Sequence, residues 1–155
     1  EPLPGPTGES NHLTLHGRGL ALCLGGGAEP MGALLAQALM ALAAGNAVAV
    51  VAGEGGARLA AALRKGGVPA GVIAAVSADD PAETAGRMPR LGLVAHEGEG
   101  ADLARVRAAL AAREGVRVPL VSLSDGIERF ATERIVSIDT TASGGNATLL
   151  TLPDA

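Results

Sequence analysis

The feature that most constrains this chain is a series of short uncharged apolar runs, each closed by glycine or a turn and each followed by a stretch of helical period. Leu20-Ala21-Leu22-Cys23-Leu24 opens the series and ends in three glycines, the form of a strand buried on both faces. A helix is expected from Met31 to Ala44, with Leu34, Leu35, Leu39 and Leu42 as one stripe and Gly45-Asn46 as the stop. The alternation then recurs: strand 47–52, helix 57–65, strand 72–76, a short helical piece near 81–87, strand 91–96, helix 101–114 and strand 118–123. Leu103, Val106 and Leu110 mark the inward face of the last helix. Five apolar strands interleaved with helices predict a parallel sheet covered on both sides. Right-handed crossovers make that an α/β, Rossmann-like doubly wound domain, expected over residues 18–126.

The flanks have a different rhythm. Residues 1–17 carry Pro2, Pro4, Gly5, Pro6 and Gly8, which oppose helix and central-strand pairing, so an extended linker is expected there. The chain opens at Glu1 without methionine inside this turn cluster, which reads as a cut within something longer. After Ser124-Asp125-Gly126 the helical pattern stops. Glu133 to Thr141 alternates Val136, Ile138 and Thr140 with Ile135, Ser137 and Asp139; Ser143-Gly144-Gly145-Asn146 makes a turn, and Ala147 to Leu152 returns. Residues 127–155 therefore read as a β-hairpin flap. Such a ribbon is marginal alone in water and is expected to lie on another surface.

Composition excludes several function classes. At 155 residues and 48% hydrophobic content there is one core and little chain beyond it. Phe130 is the single aromatic residue, which argues against reading single-stranded nucleic acid by stacking. Twelve Lys and Arg against sixteen Asp and Glu give a net charge of −4. The basic residues form no run, which argues against nucleic acid or an anionic membrane as partner. Cys23 is the sole cysteine, excluding an intrachain disulfide, and its apolar neighbours read as a buried core thiol. No apolar run is long enough to span a bilayer and no signal-peptide order is present, so a cytoplasmic setting is expected.

Candidate chemistry is sparse. Gly25-Gly26-Gly27 with Gly32 resembles a phosphate loop, and Glu54 stands where a ribose-binding carboxylate would. The third glycine of the fingerprint, counted from Gly25, falls on Pro30. A nucleotide site built on Gly25, Gly27, Gly32 and Glu54 is therefore the weaker alternative to a Rossmann-shaped domain with a degenerate site. His12, His16 and His96 lack metal-ligand spacing and read as solvated or capping residues, and no metal site is expected. Asp79-Asp80 before Pro81 reads as a helix cap, and Glu97 and Glu99 fall in a glycine-rich loop. No nucleophile and base converge, so no catalytic residue is assigned and a stand-alone small enzyme is the least favoured reading.

Two segments resemble one known family. Leu3-Pro4-Gly5-Pro6-Thr7-Gly8-Glu9-Ser10-Asn11 looks like the stretch following the aldehyde dehydrogenase domain of the long proline utilization A enzymes. Glu133 to Leu152, ERIVSIDTTASGGNATLLTL, is similar to that family's carboxy-terminal motif. The resemblance implies the carboxy-terminal, non-catalytic segment of a bifunctional enzyme that takes proline to glutamate through glutamate semialdehyde. FAD and NAD, the catalytic Cys and the general-base Glu would all lie upstream, with no cofactor in these residues. It further implies that the partner is the dehydrogenase domain of the same polypeptide, with a homo-oligomer possible. Ile138, Thr140, Thr141, Gly144, Gly145 and Asn146 would then belong to a flap that covers that domain and helps seal a channelling cavity.

Overall fold

The computed structural model describes residues 1–5, 8–51 and 53–139. Two compact units are present: His16–Thr132, and Glu1–Leu15 together with Glu133–Ala155.

The larger unit is an α/β fold whose five-stranded, all-parallel sheet has strands on both sides of a central one. In the smaller unit β1 (Pro2–Leu3) and β2 (Glu9–Gly17) start the chain. Then come β3 (Leu20–Cys23), α1 (Pro30–Ala43), β4 (Ala47–Val50), α2 (Gly53–Lys65) and β5 (Ile73–Ala75). The second half adds α3 (Pro81–Arg87), β6 (Leu91–Ala95), α4 (Gly100–Ala111) and β7 (Leu120–Val121). Two 3₁₀ turns, Leu123–Asp125 and Ile127–Phe130, lead into β8 (Ala131–Asp139). The sheet order is β5-β4-β3-β6-β7. The order reverses between β3 and β6, as in doubly wound folds.

Alternation along each strand divides the core into two layers. Ala21 and Cys23 of β3 with Val48 and Val50 of β4 face α1 and α2, where Leu34, Ala38, Ala41, Ala60 and Phe130 complete one cluster. Leu22, Ala49 and Val94 face the other way and meet Ala82 and Ala85 of α3 and Val106 of α4. The lone aromatic residue is fully buried, which removes it from any surface role.

Local sequence sets the helix ends. Pro30 and Pro81 occupy first-turn positions, where the missing N–H costs nothing. Asp80 caps α3 by accepting from the Ala82 N–H at 2.9 Å, as its place before Pro81 suggests. Beyond α1, Gly45 takes φ 83 and Asn46 turns inward. The buried Asn46 amide donates to the carbonyls of Ala41 at 3.0 Å and Phe130 at 2.9 Å and accepts from the Gly19 N–H at 3.1 Å.

Three local expectations change. The stripe assigned to α1 is rotated: Leu34 is buried, but Leu35 and Leu39 are 41% and 48% exposed, and Gln37, Ala38 and Ala41 complete the inner face. Helical geometry places residues 34, 37, 38 and 41 together, and the leucine-rich run conceals which arc is inside. Residues 1–17, expected as a linker, hold two strands in a second sheet ordered β1-β2-β8. Pro2 fits there because β1 is an edge strand; it pairs antiparallel with β2, Pro2 opposite His12. Strand structure in the tail begins at Ala131 instead of Glu133, and the expected turn and returning arm lie outside the described residues.

Candidate functional site

In an open parallel sheet the crevice outside the carboxyl ends of the strands, where the order reverses, is where a ligand is expected. Here that point lies between β3 and β6, and the two loops leaving these strands pack on each other. Gly25, Gly26 and Gly27 all adopt left-handed φ, at 68, 101 and 72, which side-chain-bearing residues avoid. A Cβ on Gly26 would lie 2.7 Å from the Gly98 nitrogen and 2.9 Å from His96 Cε1. These glycines therefore allow close approach of protein to protein.

Side chains complete the closure. Gln37 is fully buried on α1. Its Oε1 accepts from the Gly25 N–H at 2.9 Å while its Nε2 donates to the Gly25 carbonyl at 3.1 Å. Nε2 also reaches Glu97 Oε1 at 3.4 Å. The same oxygen of Glu97 accepts from the Leu123 N–H at 2.7 Å, and the Glu97 N–H donates to the Gly25 carbonyl at 2.8 Å. One amide and one carboxylate thus join the loops after β3, β6 and β7. Gln37 carries no motif; its only signal in sequence is a polar residue within an apolar helix.

His96 follows the last residue of β6 and is 5% exposed, so the solvated or capping role expected for it is replaced by enclosure. With no side chain on either Gly26 or Gly98, both fit against its ring. The Asp102 carboxylate stands 2.9 Å from Nε2 but outside hydrogen-bond alignment, and Nδ1 has no hydrogen-bond partner among the described residues. Next to this pair a cavity of about 390 Å³ is lined by His96, Glu97, Glu99, Arg107, Ser122 and Asp125, among others.

The other residues singled out by sequence are dispersed. Gly25 and Gly27 lie in the closed loop, Gly32 in the first turn of α1, and Glu54 in the first turn of α2. His12 and His16 are both on β2. No group of three or more His, Cys, Asp or Glu able to hold a metal occurs among the described residues. Cys23 is fully buried at the end of β3, where burial pushes its thiol from 9.0 up to about 12, so it stays protonated and unreactive at neutral pH. Ile138 is on β8 and 53% exposed. Thr140, Thr141, Gly144, Gly145 and Asn146 lie outside the described residues.

No protein-family profile matches the chain. The bifunctional protein PutA of Salmonella typhimurium is 37% identical over 155 residues, which cover 97% of this chain and 11% of that protein. The chain therefore spans about a ninth of the curated relative's length. The crystal structure of a Bradyrhizobium japonicum proline utilization A mutant superposes with a TM-score of 0.67 at 32% identity, covering 79% of this chain and 13% of the other. A Corynebacterium glutamicum NAD-dependent benzaldehyde dehydrogenase reaches a TM-score of 0.65 at 22% identity over 79% of this chain and 28% of its own. That likeness shows the aldehyde dehydrogenase fold alone.

Proposed function

The chain corresponds to a segment of the bifunctional PutA proteins, and from that premise we propose that it is a non-catalytic module of a proline-catabolic enzyme. The module covers the aldehyde dehydrogenase domain of the same polypeptide and helps seal the cavity through which the semialdehyde passes. FAD and NAD serve the parent enzyme at sites outside these residues, and a cytoplasmic setting belongs to the same proposal. The observation that carries it is the composition of β8. Ile135, Val136 and Ile138 are 59%, 54% and 53% exposed, and successive positions put apolar groups on both faces of one strand. Covering the exposed half of each such side chain stabilises by about 1 kcal/mol, so that several together help to hold a flap in place. Walls that exclude water protect a reactive intermediate between two sites.

The non-catalytic half of the proposal is supported by the closed crevice. Both polar groups of Gly25 are engaged by Gln37, and Gly26 is backed by the His96–Gly98 loop, where a pyrophosphate would need room. Removing Glu133 to Ala155 from the full-length polypeptide should impair semialdehyde oxidation and coupled NADH formation from proline while leaving proline oxidation nearly intact. Full aldehyde dehydrogenase activity without a lag in the truncated enzyme would refute the closure role.

A further inference from the structure

Away from the closed crevice, the fold gathers three arginines that the sequence scatters. Arg18 precedes β3, Arg90 precedes β6 and Arg117 lies ahead of β7. These strands are parallel neighbours in that order, so all three arginines arrive at the amino end of the sheet, opposite the glycine loop. They line one cavity of about 320 Å³ together with Gly92, Pro119 and Thr132, and no Asp or Glu lines it. Among the described residues the ion pairs go instead to Arg87, His96 and Arg105. In a chain of net charge −4, three arginines around one hollow make a local excess of positive charge that attracts anions.

Two backbone features build this place. The register between β3 and β6 shifts so that Leu20 faces Leu91 but Ala21 faces Leu93; Gly92 is the extra residue, and bulges of this kind re-aim neighbouring side chains. A Cβ on Gly92 would collide with the Arg18 carbonyl oxygen, so glycine is what lets the two arginine-bearing segments meet. Arg90 holds φ 56, the one positive φ outside glycine among the described residues. A long basic residue there bears a strain that glycine would avoid. Arg18 is half-buried and anchored, its Nε donating to the Arg129 carbonyl at 3.0 Å. That bond anchors the group, and among the described residues its terminal nitrogens meet no acceptor.

We propose that this cavity binds a small polyoxyanion, a compound carrying two or more phosphate or carboxylate charges. Guanidinium forks match such oxygens two at a time, and the hollow has the size of a small-ligand site. Titration calorimetry of the full chain at fixed ionic strength tests it, with pyrophosphate and citrate as separate probes and chloride as the reference anion. One site per chain is expected, and the tighter of the two probes distinguishes a phosphate from a carboxylate ligand. Arg117→Gln and Arg90→Gly should each weaken binding by about tenfold or more. Arg90→Gly also separates binding from folding. Without ligand its thermal midpoint should equal or exceed that of the parent chain, because glycine takes positive φ freely, yet the rise in midpoint that the anion gives the parent chain should be lost. Binding no stronger than that of chloride, or titrations unchanged in both variants, would overturn the proposal.

Discussion

At the carboxyl end of the five-stranded sheet a buried amide, Gln37, bonds both polar groups of Gly25 and reaches Glu97. At the amino end beside β6 and β7, three arginines share a cavity without a carboxylate. At the first end the loop groups of Gly25 and Leu123 are satisfied from within the chain, whereas at the second no carboxylate meets the arginines. In folds of this topology the carboxyl end is where a ligand is ordinarily received. Here protein groups fill the crevice between β3 and β6 itself; a polar cavity remains beside His96, and a separate basic one opens at the opposite edge. A shared fold therefore fixes where a crevice can form without fixing whether it is used.

The contrast can be broken most sharply at Gln37. Gln37→Ala removes a buried side chain and orphans the Gly25 N–H, while the Gly25 carbonyl keeps only the Glu97 N–H, and should cost about 2–4 kcal/mol in urea unfolding of the chain. Cys23, two residues before Gly25, should then react faster with a thiol reagent, because its protection depends on that loop staying shut. An unchanged midpoint would mean that the carboxyl end is not held by this amide. A smaller loss, about 1–2 kcal/mol, is expected for Glu97→Ala, which leaves the Leu123 N–H without its acceptor; comparison of denaturant midpoints checks it. The smallest effect belongs to the other end. Arg117→Gln, at an exposed position, should stay within about 0.5 kcal/mol of the parent in the same assay, and a larger loss would show that the arginine cluster is structural.

How much of this is legible in sequence depends on the range of the cause. Strands and helices of the sheet are readable because buried strands are continuous apolar runs and the helices between them keep their own period. The Asp80 cap is readable for the same local reason. The inner face of α1 is not, since Gln37 looks like a solvent-facing interruption until Gly25 is brought against it. His96 is misread because its enclosure comes from the absence of side chains at Gly26 and Gly98. The arginine cluster is invisible to any search for a basic run, because residues 18, 90 and 117 meet only through the order β3-β6-β7. The strands within residues 1–17 depend on pairing between opposite ends of the chain, β2 lying beside β8.

Asn46 has a consequence for how the chain is made. Two of its bonds, to Gly19 and Ala41, join residues synthesised before or just ahead of it, so they can form while β3, α1 and β4 are emerging. The third goes to the Phe130 carbonyl, 84 residues later. Phe130 is also the largest side chain in the layer under α1. A nascent chain can thus pair two of the five strands of its sheet early, yet that layer stays unfinished, with one amide hydrogen unclaimed, until nearly the whole domain has left the ribosome.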